Sequence, residues 1–252
     1  MRNFLILTIS LILVFASCNS KNGNPALLNQ EEKFQKMIQA KDSGYITKSS
    51  GIGFLQAAKL TDTLNSYWSQ ANDHDTIGKY YRNGRSNNYF LCVIDLSKKY
   101  TFETHLLIEA RPNGKILKKE RFNHGNYSCC WTNYYDGFNK YGEYFGLKTC
   151  GTGSGYCASY RYLFKEITAK ERQNAIPESC WSSFGITQNL TSKMELKNDT
   201  LVMHYKLEKG ELNDSSDFNV NETKIFDVKF VFKNKKWITG EKKKFDGLDL
   251  DL

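Results

Sequence analysis

No apolar run in this sequence is long enough to cross a hydrocarbon core, which takes roughly 20 apolar residues. The longest, Phe4 to Ala16, stops short and is broken by Thr8 and Ser10. A helical membrane span is therefore not expected. Histidine is scarce: His74, His105, His124 and His204 are the four in 252 residues, and they are scattered. Zinc sites need ligands at short, regular spacing, so no metal ligand is assigned. Nucleotide-binding loops are also missing. Gly151-Thr152-Gly153-Ser154-Gly155 lacks the Lys-Ser/Thr ending of a P-loop and the G-x-G-x-x-G spacing of a dinucleotide site. Thr152 and Tyr156 stand where a nucleophile elbow at Ser154 needs glycine. The acidic tail Asp246, Asp249, Asp251 has the wrong order for an EF-hand loop. Strands and helices do not alternate regularly, which argues against a parallel doubly wound sheet. No internal repeat carries a motif. Consequently no catalytic residue and no cofactor-binding residue is assigned, and no cofactor is called for.

The N-terminus carries the clearest signal. Arg2 supplies a positive charge, the apolar run follows, and small residues come next, which is the layout of a signal peptide. Phe15-Ala16-Ser17-Cys18 resembles the lipobox of bacterial lipoproteins, with Phe15 where Leu is usual. The resemblance covers only the first eighteen residues. It implies that a diacylglycerol alkylates the Cys18 thiol and that cleavage makes Cys18 the first mature residue. It also implies two or three acyl chains, and two or more make anchoring stable. Asn19 in place of Asp implies the outer membrane. On this reading residues 1–17 are the signal peptide, 18–28 are a lipidated tether, and the protein is held in the cell envelope. A plain secretory signal cut after Ala16 is the alternative, and Cys18→Ala separates the two by loss of lipid and of the membrane fraction.

The formal net charge is +8, and its excess lies in short runs such as Lys98-Lys99, Lys118-Lys119, Lys235-Lys236 and Lys242 to Lys244. Such runs mark solvated strands and edges, or attract anionic lipid or polysaccharide at the envelope surface. Nucleic acid conflicts with export. Of seven cysteines, one is assigned to lipid; Cys92, Cys129, Cys130, Cys150, Cys157 and Cys180 remain. An even number in an exported chain reads as a disulfide framework. Cys150 and Cys157 flank a glycine loop that can bring them together. A bridge between the neighbours Cys129 and Cys130 closes a strained ring, so each is expected to pair elsewhere, Cys180 being a candidate. Cys92 lies in an apolar strand and is alternatively a buried free thiol.

Periodicity predicts a helix over 30–43, with Asn29 and Glu32 as a capping box and Gly44 as the terminal cap. A second helix is expected over about 54–69, with Phe54, Ala58, Thr61, Leu64 and Trp68 on one face. Strand patterns follow over 89–96, 102–110 and 115–122, the last two joined by Arg111-Pro112-Asn113-Gly114 in a hairpin. Residues 142–148 and 158–166 look like a pair around the glycine loop. Thr168 and Glu171 would cap a short helix ending before Pro177. The last third reads as a meander, 186–196 with 201–207 and 225–232 with 237–242. Phe226, Val228, Phe230 and Phe232 form its inward row, and 210–221 is expected to be a mobile polar loop. The fold class expected is α+β, with N-terminal helices packed on a mainly antiparallel β-sheet and a disulfide-stapled loop region. It forms a single domain over 29–252.

Between His124 and Phe164 aromatic rings crowd among glycines and cysteines. Rigid amphipathic rings on a loop suit stacking on sugars or on a protein partner; alternatively they fill a loop-rich core. Trp131, Tyr134 and Tyr135 are the first candidates for ligand binding, because Asp136-Gly137 suggests an exposed turn beside them. The function expected is a membrane-anchored envelope lipoprotein without enzymatic activity, binding glycan or protein or serving structure. The alternative is an envelope hydrolase with a dispersed catalytic site. A deep pocket with converging carboxylates or a Ser–His contact would mark the hydrolase, and an exposed aromatic face the binder.

Overall fold

The computed structural model describes residues 25–61, 69–70, 72–95, 104–123, 134–167, 175–183, 186–248 and 250. Helix α1 spans Pro25–Ile38. Phe34, Met37 and Ile38 are buried at helical spacing. The Tyr80 hydroxyl donates to the terminal carbonyl of Ile38 at 2.7 Å, supplying a partner the helix end lacks. Helix α2, Lys48–Ala57, starts at Thr47, whose side chain accepts from the Ser50 N–H.

A first sheet runs β1 (Ser43–Thr47), β2 (Thr76–Arg82), β3 (Tyr89–Ile94), β4 (Thr104–Ala110) and β5 (Ile116–Asn123) in chain order. All neighbours are antiparallel. One face packs on the helices through Phe34, Phe54, Leu91, Val93 and Ile108. The other face presents Phe90, Cys92, Leu107 and Phe122 to Phe138, Phe145, Leu147 and Phe164 of the second sheet. Phe90 and Phe145 stack with centroids 4.2 Å apart. Because both faces of β3 and β4 are covered, these strands are buried along their whole length, β3 with apolar residues only and β4 with Thr104, His105 and Glu109 among its apolar ones. The β4–β5 turn closes at Gly114, whose φ is +77°. A Cβ there would lie 2.7 Å from Phe34, so glycine lets the turn press against α1.

The second sheet, also a meander, comprises β6 (Phe138–Tyr141), β7 (Tyr144–Gly153), β8 (Tyr156–Phe164), β9 (Ile176–Ser182), β10 (Thr187–Lys197), β11 (Thr200–Leu212), β12 (Phe218–Lys233) and β13 (Lys236–Ile238). It curls on itself. Trp237 of β13 donates to the Leu163 carbonyl of β8 at 3.0 Å, and Tyr144 of β7 meets Trp237 and Phe232 at ring distances of 5.1 and 5.3 Å. The concave side holds a separate core that includes Leu190, Met203, Tyr205, Val228 and Phe230. Phe226, Val228 and Phe230 are buried as the alternation predicts, while Ile225 on the opposite face is 76% exposed.

The expected α+β class is corrected: thirteen strands in two meanders dominate the described residues, which form a largely β fold. Four strands escaped the sequence reading. β1 sits between two helical segments, β2 has no clean alternation, β6 is short, and β9 contains Pro177. The first helix begins at Pro25 and ends at Ile38, because Gln39 and Ala40 take positive φ and Gly44 enters β1. The second is shifted to Lys48–Ala57, with 62–68 outside the described residues. The short helix expected after Thr168 falls mostly on 168–174, also outside them, and the chain up to Ser182 is β9. The presumed mobile loop over 210–221 is mostly strand, since β11 reaches Leu212 and β12 starts at Phe218.

The loop conformation expected around the glycine segment is corrected as well. The glycine segment is a β7–β8 hairpin, not a loop. Cys92 and Cys180 are unbridged and buried. Cys150 and Cys157 are in disulfide form, but no bridge runs between two described cysteines. The ladder places Cys150 opposite Ser159 and Cys157 opposite Thr152. Such diagonal positions lie about 7 to 8 Å apart, beyond the usual span of a disulfide. Cys129 and Cys130 lie outside the described residues.

Candidate functional site

Two surfaces collect functional side chains. The first grows from the edge strand β1. Ile46 turns into the core beside the helices, so strand alternation sends Tyr45 to the other side, where it is 59% exposed. Its cross-strand partner is Lys79 of β2. Tyr135 comes from a short 3-10 turn, Tyr134–Gly137, that feeds β6. The rings of Tyr45 and Tyr135 meet edge to face at 5.6 Å. The Lys79 ammonium lies 5.1 Å from the Tyr45 ring centre and 5.9 Å from that of Tyr135. It also lies 3.4 Å from Asp136 Oδ1. Lys79 is largely buried, so the rings and this carboxylate replace lost hydration of its charge. Burial, then Asp136 and Tyr45, raise the Tyr135 hydroxyl above the usual phenol range.

A polar recess of about 350 Å³ adjoins this pair and is lined by Asp42, Ser43, Tyr81, Arg82, Asn87 and Lys140 among others. The Ser43–Tyr81 pair lies two residues along from Tyr45–Lys79 in the same ladder, hence on the same face. Arg82 is fixed in place: it donates to Asp42 Oδ1 at 3.0 Å and to Asn87 Oδ1 at 2.7 Å. The bond to Asp42 raises the guanidinium pKa further. Lys140 donates to the Arg82 carbonyl at 2.9 Å. The recess thus offers fixed donors and acceptors next to an aromatic platform.

The second surface is a cleft of about 730 Å³, where the β6–β7 and β10–β11 turns converge. Lys165, just past β8, donates to Asp199 Oδ1 at 2.6 Å and lies 3.6 Å from Glu143 Oε2. Arg85 pairs with the other oxygen of Glu143. The buried Tyr144 hydroxyl donates to Asp199 Oδ1 at 2.6 Å. Burial first, then Asp199, push that hydroxyl far up, whereas Lys165 and Tyr144 hold the Asp199 carboxyl below its usual range. The Lys165 ammonium also sits 4.8 Å from the Tyr144 ring centre. Behind the lining residue Tyr141, Arg161 donates to its hydroxyl and to Glu178, the latter at 2.5 Å. The Lys148 ammonium lies 3.7 Å from the same Glu178 oxygen.

Of the sequence candidates, Tyr135 stands on the first surface. The turn containing Tyr134 lies beside it, and Trp131 and Cys18 lie outside the described residues. His204 lies on the outer side of the second sheet, paired with Asp227 at 2.8 Å. Tyr45, Lys79, Arg85 and Lys165 were missed. Gly44 and Ile46 around Tyr45 hinted at a strand, but no local pattern could join it to Tyr135. Among the described residues no group of three or more His, Cys, Asp or Glu side chains could hold a metal ion, and no helix is long and apolar enough to cross a membrane. Compared with known proteins, the chain matches no protein-family model and no curated relative.

Proposed function

We propose that this chain is a lipid-anchored protein of the bacterial cell envelope whose folded part binds glycan through the Tyr45–Tyr135 platform. The anchor rests on the lipobox-like Phe15-Ala16-Ser17-Cys18. The binding role rests on one observation above all: two partly exposed tyrosine rings beside a recess of fixed polar groups. A sugar presents an apolar face to rings and hydroxyls to hydrogen-bonding groups, and sites that bind it pair these two features. The hydrolase alternative has less support, because Glu143 and Asp199 of the cleft are each matched to a cation.

The test uses full-length protein in detergent and titration calorimetry against solubilised envelope polysaccharide. Tyr45→Ala with Tyr135→Ala should weaken binding about tenfold or more, since each ring is worth about 0.5–1.5 kcal/mol beyond its area and 1.4 kcal/mol is a factor of ten. Circular dichroism checks that the fold survives. Unchanged affinity in the folded double variant refutes the platform. Separately, Cys18→Ala should move the protein out of the membrane fraction; a protein that stays there without lipid refutes the anchor.

A further inference from the structure

The cleft between the β6–β7 and β10–β11 turns has a charge arrangement that the aromatic platform does not use. Its carboxylates are already taken. Asp199 accepts from Lys165 and Tyr144, and Glu143 faces Lys165 and Arg85. Just outside, Glu166 holds Lys118 at 2.7 Å and Lys235 at 2.5 Å, and both contacts pull its pKa down. Within the lining two carboxylates face two cations, and the adjoining Glu166 cluster adds one carboxylate and two cations. Two exposed lysines extend the excess. Lys197 precedes the Asn198-Asp199 turn, and Lys233 follows Phe232, whose N–H donates to the Asp199 carbonyl at 2.9 Å.

Arg85 is the group most ready to receive a ligand. Its side chain is 70% exposed, and Glu143 engages one terminal nitrogen. A guanidinium fork has five donors, so most remain for a second acceptor. Lys165, by contrast, is held between two carboxylates and a ring, at a fixed distance from Arg85's partner. The floor is supplied by Tyr141, Met194 and Leu196, a surface for carbon rather than for charge. Uncommitted guanidinium donors beside an apolar floor suit a small molecule with one anionic group and an apolar or ring-shaped body.

We infer that this cleft binds a small anionic saccharide, with its phosphate or carboxylate on Arg85 and its ring over Tyr141, Met194 and Leu196. Both anionic groups offer a pair of oxygens that the guanidinium fork can bind bidentately. The inference is independent of the platform around Tyr45, which lies on the first sheet.

The experiment is titration of the full chain in detergent with inorganic phosphate, glucose 6-phosphate, glucuronate and glucose. Binding of glucose 6-phosphate or glucuronate at least tenfold tighter than glucose is expected. Preference for one of the two names the anionic group. The affinity should fall as salt rises, because exposed charges are screened. Arg85→Ala should lower it at least fivefold, with partial recovery in Arg85→Lys. Lys224→Ala, a cation toward the other end of the β11–β12 hairpin, should leave it unchanged. Arg85 is exposed, so its variants fold, and circular dichroism verifies this. Equal binding of glucose, no binding of either acid, or full affinity in Arg85→Ala overturns the inference. Inorganic phosphate binding without any sugar acid binding also overturns it, since the floor would then play no part.

Discussion

His204 shows how one exposed side chain ties stability to pH. Its Nδ1 meets Asp227 at 2.8 Å and its Nε2 lies 3.5 Å from Glu195. The hydrogen bond to Asp227, then the charges of Asp227 and Glu195, raise its pKa above the usual imidazole value. A raised folded pKa means that the charged form is favoured in the native state. The stabilisation is therefore complete below the unfolded value of about 6.5 and fades as pH rises through the folded one. Wild type should exceed His204→Gln in thermal midpoint by more at pH 6 than at pH 9. Proton NMR should place the His204 titration above that of a free histidine, and Asp227→Asn should bring it down. A titration at the ordinary value in wild type would remove the role assigned to Asp227. Cys92 illustrates the opposite pressure on a side chain: burial in an apolar strand pushes its thiol up, as expected for a structural thiol rather than a reactive one.

Strands are where local pattern and tertiary demand part company. Gly78 in β2 faces Val93, and a Cβ there would lie 2.2 Å from the Cys92 carbonyl and 2.8 Å from Val93 Cα. Both obstacles are backbone, so the β2–β3 pair must separate to admit even a methyl group. Gly78→Ala should cost about 2 kcal/mol or more, lowering the thermal midpoint by roughly 4–8 °C for a chain of this size. An unchanged midpoint would show that the two strands are loosely paired. The same glycine hid β2 from the sequence reading, since it breaks the period that marks a strand. Hairpins were legible where turn residues announced them. Asn234 and Lys235 both take positive φ in the β12–β13 turn, and Asn198 does so before β11, as their composition suggests. The inward row of β12 was legible because one of its faces is wet and the other dry. In the candidate sites, Tyr135 could be read from the adjacent Asp136-Gly137. Tyr45, Lys79, Arg85 and Lys165 could not, since their meeting depends on strand register and on the curl of the second sheet. Neither leaves a mark within a short window of sequence.

Across the whole molecule, Phe145 sits at the centre of the apolar seam where the two sheets meet. It sits on β7, stacks on Phe90 of β3 at 4.2 Å, and packs near Phe138 and Phe164 at 6.2 and 6.4 Å. Its neighbour Tyr144 points the other way, into the core of the curled sheet against Trp237. One strand therefore carries both cores on its two faces, the dry seam between the sheets and the interior of the second. Both proposed binding surfaces depend on that strand. β6, paired with β7, begins right after the turn that presents Tyr135, and Tyr144 itself lines the cleft. Phe145→Ala should cost about 3–5 kcal/mol, the usual loss for a buried phenylalanine. In contrast, Trp237→Phe removes the hydrogen bond to the Leu163 carbonyl and should cost about 1 kcal/mol plus the lost ring packing. Urea unfolding followed by both tryptophan fluorescence and far-ultraviolet circular dichroism separates the cases. If the sheets are one cooperative unit, the two signals of Phe145→Ala shift together to lower urea. Should fluorescence and dichroism instead part company in that variant, the sheets unfold independently and Phe145 does not couple them.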